Sequence, residues 1–323
     1  MSRPATAGGR PGEDRLGRSD AFGRELQLAI ELAHRAGAIQ MERYERLERV
    51  EAKGPRDVVT EVDHLCEALV MDAVRERYPG DHFYAEEIGE VAAAGEIASG
   101  RVWIVDPLDG TVNYANGIPF FCISIALVAG GRPVVGVIYD PTRDETFAGA
   151  IDGPSLRNGL PIRVGTKERL EDLVVTLAVG GRGTVRKRRE AVRSIRAHRS
   201  MGSASLTLAY VACGRFDVYA QGAGLSAWDV AAAGLIAERA GATVTSLDGS
   251  PWFDLSRPAK AWSCLAASTS ACGRRVGARM QRRCNAAALR RRAPDSAAAY
   301  DSCEREGSFR ANAGEGAGDG ASS

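Results

Sequence analysis

Between Phe22 and Tyr44 the apolar residues Phe22, Leu26, Ile30, Ala33, Gly37 and Ile39 recur at close to helical spacing, and Ser19 or Asp20 stands where a cap belongs. The pattern predicts a long amphipathic helix. After the polar stretch EAKGPRD (51–57), which reads as a loop, Val62, Leu65, Leu69 and Ala73 repeat the period until Pro79 and Gly80 break it. A second helix is predicted, entered at Thr60. HFYA (82–85) and VWIV (102–105) then read as short strands, with the low-complexity loop VAAAGEIASG between them. In FFCISIALVAGGRPVVGVIYDP (120–141) two β-rich runs flank Gly-Gly-Arg-Pro, the signature of a hairpin in a central sheet.

From Ile151 the runs alternate. DLVVTLAV (172–179) reads as a strand, RKRREAVRSIRAH (186–198) as a basic helix, and RSMGSASLTLAYVACG (199–214) as a short strand and helix. FDVYA (216–220), the helix WDVAAAGLIAERAG (228–241), and the strands TVTS (243–246) and WSCLAAST (262–269) follow. Such an order places an α+β half over 19–150 beside an α/β half over 151–270. Residues 271–323 have few large aliphatics and many Arg, Gly, Ala and Ser, a composition that cannot build a core, so a disordered tail is expected there, as is a polar disordered arm over 1–18.

Composition narrows the function classes. With 45% hydrophobic residues among 323 the chain can bury a full core, and Lys+Arg 42 against Asp+Glu 41 leaves no global field to attract nucleic acid or an anionic membrane. The basic run 186–199 and the Arg-rich tail are the places where a nucleic-acid contact would have to reside; a solvated helix face and a loose tail are the plainer readings. No signal-peptide core opens the chain, and the longest apolar stretch, 118–129, is too short to cross a bilayer, so a cytoplasmic protein without membrane contact is expected. The seven cysteines show no CxxC or Cys/His pairing, and neither a structural disulfide nor zinc is expected.

The chemistry gathers in WIVDPLDGTVNY (103–114). A strand that should be buried ends on Asp106 and Asp109, with Pro107 fixing the backbone between them and Gly110 permitting a close turn. Two carboxylates held together repel, and some cation must compensate. The Leu108 carbonyl, expected to be left free by the turn, adds a third oxygen, and oxygen ligands of this kind suit Mg²⁺ or Mn²⁺. Alone, DPLDG is also an ordinary surface turn. Asp63 could be a helix-start acid in the capping-box pattern TEVD, Glu86 and Glu87 a solvated loop, and Asp229 a helix cap. Together, however, Glu86, Asp106 and Asp109 each follow a strand while Asp63 and Asp229 each open a helix. Strand ends and helix starts converge on one rim of an α/β sheet, which points to a multi-metal centre.

DVVTEVD (57–63), AEE (85–87), WIVDPLDGTVNY and AWDVAAAGLIAERAGATV (227–244) in this order resemble the inositol monophosphatase family of Mg²⁺-dependent, lithium-sensitive phosphatases. The resemblance runs from Phe22 to Thr269 and implies a layered αβαβα sandwich of the sugar-phosphatase type. It implies that Glu86, Asp106 and the Leu108 carbonyl hold one Mg²⁺, that Asp106, Asp109 and Asp229 hold a second, and that Glu86 helps a third. Asp63 and Thr111 resemble the pair that orients and deprotonates the attacking water, and Lys53 the lysine of a mobile loop beside the metals. Gly110 and Thr111 would offer N–H groups to the phosphate, with Gly202, Ser203, Gln221 and Asp229 near the sugar ring. Where the family's inositol phosphatases often place an acid, this chain has Gln221, with an extra residue before Asp229. The resemblance thus implies hydrolysis of a small phosphorylated polyol, inositol 1-phosphate first, without a phosphoenzyme, in a homodimer. Fructose 1,6-bisphosphate, histidinol phosphate and phosphoadenosine compounds are the alternative substrates, and a non-catalytic regulatory or nucleic-acid-binding protein is the alternative class.

Overall fold

The computed structural model describes residues 21–47, 50–54, 57–90, 100–178 and 192–281. The expected arm over 1–18, residues 186–191 of the basic run and the chain beyond 281 lie outside the described residues. The first helix, α1, spans Gly23–Arg43, and α2 spans Glu61–Arg77 behind a Thr60 cap. The Thr60 start of α2 matches the sequence pattern, whereas α1 starts after Phe22 with no side-chain cap, and the expected caps Ser19 and Asp20 lie outside the described residues. The buried row of α2 is Val62, Cys66, Val70 and Val74, while Leu65 is exposed, so the apolar stripe expected through Leu65, Leu69 and Ala73 is out of phase. Asp63 and Glu67, one turn apart, are both buried, and the helix is rotated to carry these acids inward.

The polar stretch expected as a loop is a hairpin instead, with β1 (Val50–Gly54) antiparallel to β2 (Asp57–Thr60). The strands β3 (His82–Ala85), β4 (Gly89–Glu90), β5 (Arg101–Asp109), β6 (Cys122–Ala129), β7 (Arg132–Asp140) and β8 (Glu145–Ala150) belong to one eight-stranded sheet. It continues through β9 (Leu156–Arg157) and β10 (Leu160–Pro161), past the boundary expected at residue 150, because these short strands pair back onto β8. The order is β10-β9-β8-β7-β6-β5-β3-β4, antiparallel except where β3 runs parallel to β5. The hairpin expected around Gly130 and Gly131 is β6–β7.

A short helix α3 (Thr111–Ala115) follows β5, and the second half supplies β11 (Val174–Ala178), β12 (Ala197–Arg199), α4 (Ala204–Ala212), β13 (Val218–Leu225), α5 (Ala227–Arg239), β14 (Thr243–Thr245) and β15 (Trp262–Ala267). Their five-stranded sheet has the order β12-β11-β13-β15-β14. The basic helix expected through residue 198 is thus interrupted by 197, where the backbone pairs parallel to Val174–Thr176. A last helix, α6 (Ser270–Gln281), lies where the tail was expected to have begun; its Cys272 and Val276 are buried against Val218, Leu265 and Ala267. Small residues with two buried anchors are enough to dock one short helix on a finished sheet.

The layers are therefore α1 and α2, the eight-stranded sheet, α4 and α5, the five-stranded sheet, and α6: the αβαβα sandwich. One apolar core lies under α1 and α2 around Trp103, Phe121 and Ile125, and another joins the sheets across α4 and α5 around Ile104, Phe147 and Trp262. Among the described residues no helix is long and apolar enough to cross a membrane.

Candidate active site

Residues three apart on a regular strand face opposite sides of the sheet. On β5, Asp106 pairs with Ser124 and Asp109 with Cys122, so three steps on β5 match two on β6. The one-residue bulge turns both carboxylates to the same side. Gln40 Nε2 donates to the Pro107 carbonyl at 2.8 Å, and Leu108 N–H donates to Asp106 Oδ1 at 3.1 Å, fixing the bulge from both sides. Gly110 follows at φ +102°, where a Cβ would lie 3.0 Å from the Phe120 carbonyl oxygen, and caps α3.

The third acid comes from helix α5. Ser226 caps α5, and its N–H donates to Asp229 Oδ2 at 2.5 Å, which pins Asp229 in the first turn. Carboxylate oxygens of Asp106, Asp109 and Asp229 all lie within 4.8 Å of one another. Asp109 also receives the start of α4: Ser203 Oγ donates to its Oδ2 at 2.7 Å, Ser205 N–H at 2.5 Å, and Ala204 N–H donates to Oδ1 at 3.2 Å.

Asp63 sits at the β2–α2 junction, where Thr60 N–H and Oγ1 donate to its Oδ2 at 2.8 and 2.7 Å. Its other oxygen lies 3.3 Å from Thr111 Oγ1, so the expected pair is brought together. The Thr111 hydroxyl also donates to the Leu108 carbonyl at 2.9 Å, so that carbonyl is not left free as expected; one lone pair is engaged by the threonine that follows it. Glu86 lies in the turn after β3, its N–H donating to the Val105 carbonyl at 3.3 Å. Gln221, Gly202, Ser203 and Asp229 line a cavity of about 250 Å³ beside Asp109. Lys53 falls on β1, and its side chain is outside the described residues.

Three supporting residues went unread in the sequence. Glu67, buried, accepts from Glu87 N–H at 2.9 Å and Ile88 N–H at 2.8 Å, anchoring the turn that carries Glu86; its position one turn after Asp63 was the available signal. Gln40 is itself held, its backbone carbonyl accepting from Tyr114 Oη at 2.6 Å. Asn113 donates to the Phe120 and Met201 carbonyls at 2.7 and 2.8 Å and presses on Gly202, whose φ of +83° and 2.7 Å clearance from the Asn113 amide leave no room for a Cβ.

Electrostatics follow from burial. Desolvation pushes the Asp106 carboxyl well above its ordinary range, and Glu86, Asp109, Asp229 and Asp63 push it further. Asp229 is raised for the same reasons, burial first and then Asp109, and Lys260 opposes the rise. Asp109 is raised by burial and held back by its donors Ser203, Ser205 and Ala204. Burial and the neighbouring Asp109 keep the Cys122 thiol, 3.9 Å from Asp109, protonated. The donor set is thus hard oxygen, negative and mutually repelling, and a divalent cation such as Mg²⁺ fits it.

A profile of the inositol monophosphatase family matches residues 24–286. An inositol monophosphatase of Mesembryanthemum crystallinum is 37% identical over 238 residues, 71% of this chain and 87% of that protein. A protein of Pasteurella multocida named Nus factor SuhB is 36% identical over 233 residues, 69% of this chain and 85% of that protein. Among solved structures, an inositol monophosphatase from Anabaena (Nostoc) sp. matches with a TM-score of 0.68 at 31% identity, covering 80% of this chain and 96% of that one. The extragenic suppressor protein suhB from Bartonella henselae matches with a TM-score of 0.73 at 31% identity, covering 80% and 99%.

Proposed function

This chain belongs to the inositol monophosphatase family, a family of Mg²⁺-dependent phosphatases, and on that premise we propose that it hydrolyses a small phosphorylated polyol, inositol 1-phosphate first, without a phosphoenzyme. The observation that carries the reading is the bulge on β5, which sets Asp106 and Asp109 side by side and within 4.8 Å of Asp229. Glu86, Asp106 and the second lone pair of the Leu108 carbonyl are the oxygens for one ion, and Asp106, Asp109 and Asp229 for a second. Bound divalent ions supply charge neutralisation at the phosphate and a water acidic enough to attack near neutral pH.

The protein's own groups do the rest. Thr111 Oγ1, 3.3 Å from Asp63 Oδ1, orients the attacking water, and Asp63 takes its proton, its other oxygen being fixed by Thr60. Backbone N–H groups of Gly110 and Thr111 receive phosphate oxygens, and Gly202, Ser203 and Gln221 face the sugar. Bonds from α4 to Asp109 hold that carboxylate still while charge redistributes.

The test is phosphate release with and without Mg²⁺ from inositol 1-phosphate, fructose 1,6-bisphosphate, histidinol phosphate and a phosphoadenosine nucleotide, with Asp106→Asn as control. Mg²⁺-dependent release that falls at least about 10²-fold in the variant is expected; release untouched by the substitution would sink the reading. Relatives named Nus factor SuhB support a regulatory role as the second reading. A salt-dependent gel shift with RNA is its check, and the full set Asp63, Glu86, Asp106, Asp109, Thr111 and Asp229 favours catalysis.

A further inference from the structure

Apart from Asp109 and Asp229, the polar side chains that line the 250 Å³ cavity are neutral or cationic, and three of them are donors: Thr176 and Gln221, on the paired strands β11 and β13, and Lys260. Thr176 is 2% exposed, and its Oγ1 has no hydrogen-bond partner among the described residues. A buried hydroxyl so placed awaits an oxygen from outside. Gln221 has its Oε1 engaged by the Tyr219 hydroxyl at 2.7 Å, and its Nε2 bonds the Ala223 carbonyl at 3.3 Å, which leaves a second N–H as the unused part of the amide. Lys260 is placed by its backbone. It sits at φ +63°, unusual for a residue with a side chain, its N–H donating to Ser226 Oγ at 3.1 Å and its carbonyl accepting from Gly224 N–H at 3.1 Å. The strand β13 bulges out between Gln221 and Leu225, and Lys260 is tied to that bulge and to the cap of α5 at once.

We propose that these donors form an oxyanion subsite, which refines the inositol 1-phosphate reading: among phosphorylated polyols the site prefers one that carries, besides the phosphate that is hydrolysed, a second anionic group, a carboxylate or a phosphate, which Lys260 receives and which Gln221 and Thr176 help to bind. The proposal rests on the reading of Asp106, Asp109 and Asp229 as the hydrolytic centre. Where an acid at position 221 would select neutral ring hydroxyls and repel such a group, an amide beside an ammonium accepts it.

Matched substrate pairs isolate the second group, because each pair shares the phosphate at C1, and turnover of the bisphosphate is counted as fructose 6-phosphate formed. The full chain with Mg²⁺ is assayed on fructose 1-phosphate against fructose 1,6-bisphosphate, and on glucose 1-phosphate against glucuronate 1-phosphate. A preference of about tenfold for the doubly anionic member, mostly in KM, is expected, the order that one charge-assisted hydrogen bond supplies. It should collapse to about twofold or less in Lys260→Gln, and Thr176→Val, which keeps the volume, should reduce it in part. Any effect of Lys260 on Asp229 and the metals is common to both members and cancels in the ratio. A preference confined to the bisphosphate assigns a phosphate, one confined to glucuronate a carboxylate. Equal rates within both pairs, or a ratio that Lys260→Gln leaves unchanged, overturns the subsite while leaving the hydrolytic reading intact. Should no compound release phosphate, the hydrolytic reading fails instead, and calorimetric affinities for the same pairs read the subsite alone: about tenfold supports it, equality overturns it.

Discussion

At the scale of single residues, the acids that matter most are the ones held at a cost. Asp106 and Asp229 have carboxyl pKa values raised above the unfolded value of about 3.9, so the metal-free folded state binds more protons than the unfolded chain once the pH exceeds that value. Stability is then lost as pH rises through the folded values. Without metal the protein is expected to melt higher at pH 5 than at pH 8, by about 2–4 °C for each kcal/mol of repulsion, and Mg²⁺ should raise the pH 8 value most. In Asp106→Asn the EDTA difference between the two pH values should shrink; thermal melts in EDTA and in Mg²⁺ check this, and an unchanged difference in the variant would count against it. These acids were legible in the sequence because each lies at a strand end or a helix start. Gln40 was not, because its partner Pro107 is 67 residues away and no local pattern marks the bond, and for Glu67, whose partner Ile88 is 21 residues away, the spacing from Asp63 was the one local sign.

At the scale of elements, hydrogen-bonding between segments fixes what periodicity leaves open. The ends of α1 and α2 follow from their apolar spacing and from Thr60, yet the phase of α2 follows from Asp63 and Glu67, which point inward with Val62 and Val70. The strand β12 is equally invisible in composition: Ala197–Arg199 is strand because Val174–Thr176 offers its edge. The loop before α4 is set by Asn113, which clamps Met201 and fills the space where a Gly202 side chain would go. Gly202→Ala meets both that contact and the positive φ, with an expected loss of about 1–3 kcal/mol. Because the same loop delivers Ser203, Ala204 and Ser205 to Asp109, kcat should fall as well, whereas a change elsewhere of equal cost in denaturant melts should leave kcat near its starting value.

At the scale of the whole molecule, the layered class came from the resemblance of four motifs rather than from the order of runs, and neither disclosed the extra strands β9 and β10 or the docking of α6, which depend on a neighbour already being in place. The layers are also tied at the edge: Arg215, beyond α4, donates to Glu145 of β8 at 2.5 and 2.6 Å. Arg215 holds the Glu145 carboxyl below its usual range, so the stabilisation is present above the unfolded value of about 4.3 and is lost as pH falls through the folded one. Glu145→Gln is therefore expected to cost about 1 kcal/mol near pH 7 and little near pH 3, read from urea melts at both. The bonds from Ser203 to Asp109 span 94 residues of chain. Contacts that distant close late and slowly, so regained phosphate release during refolding becomes a clock for the last docking step. A chain caught with one sheet complete would own half a reaction centre and turn over nothing.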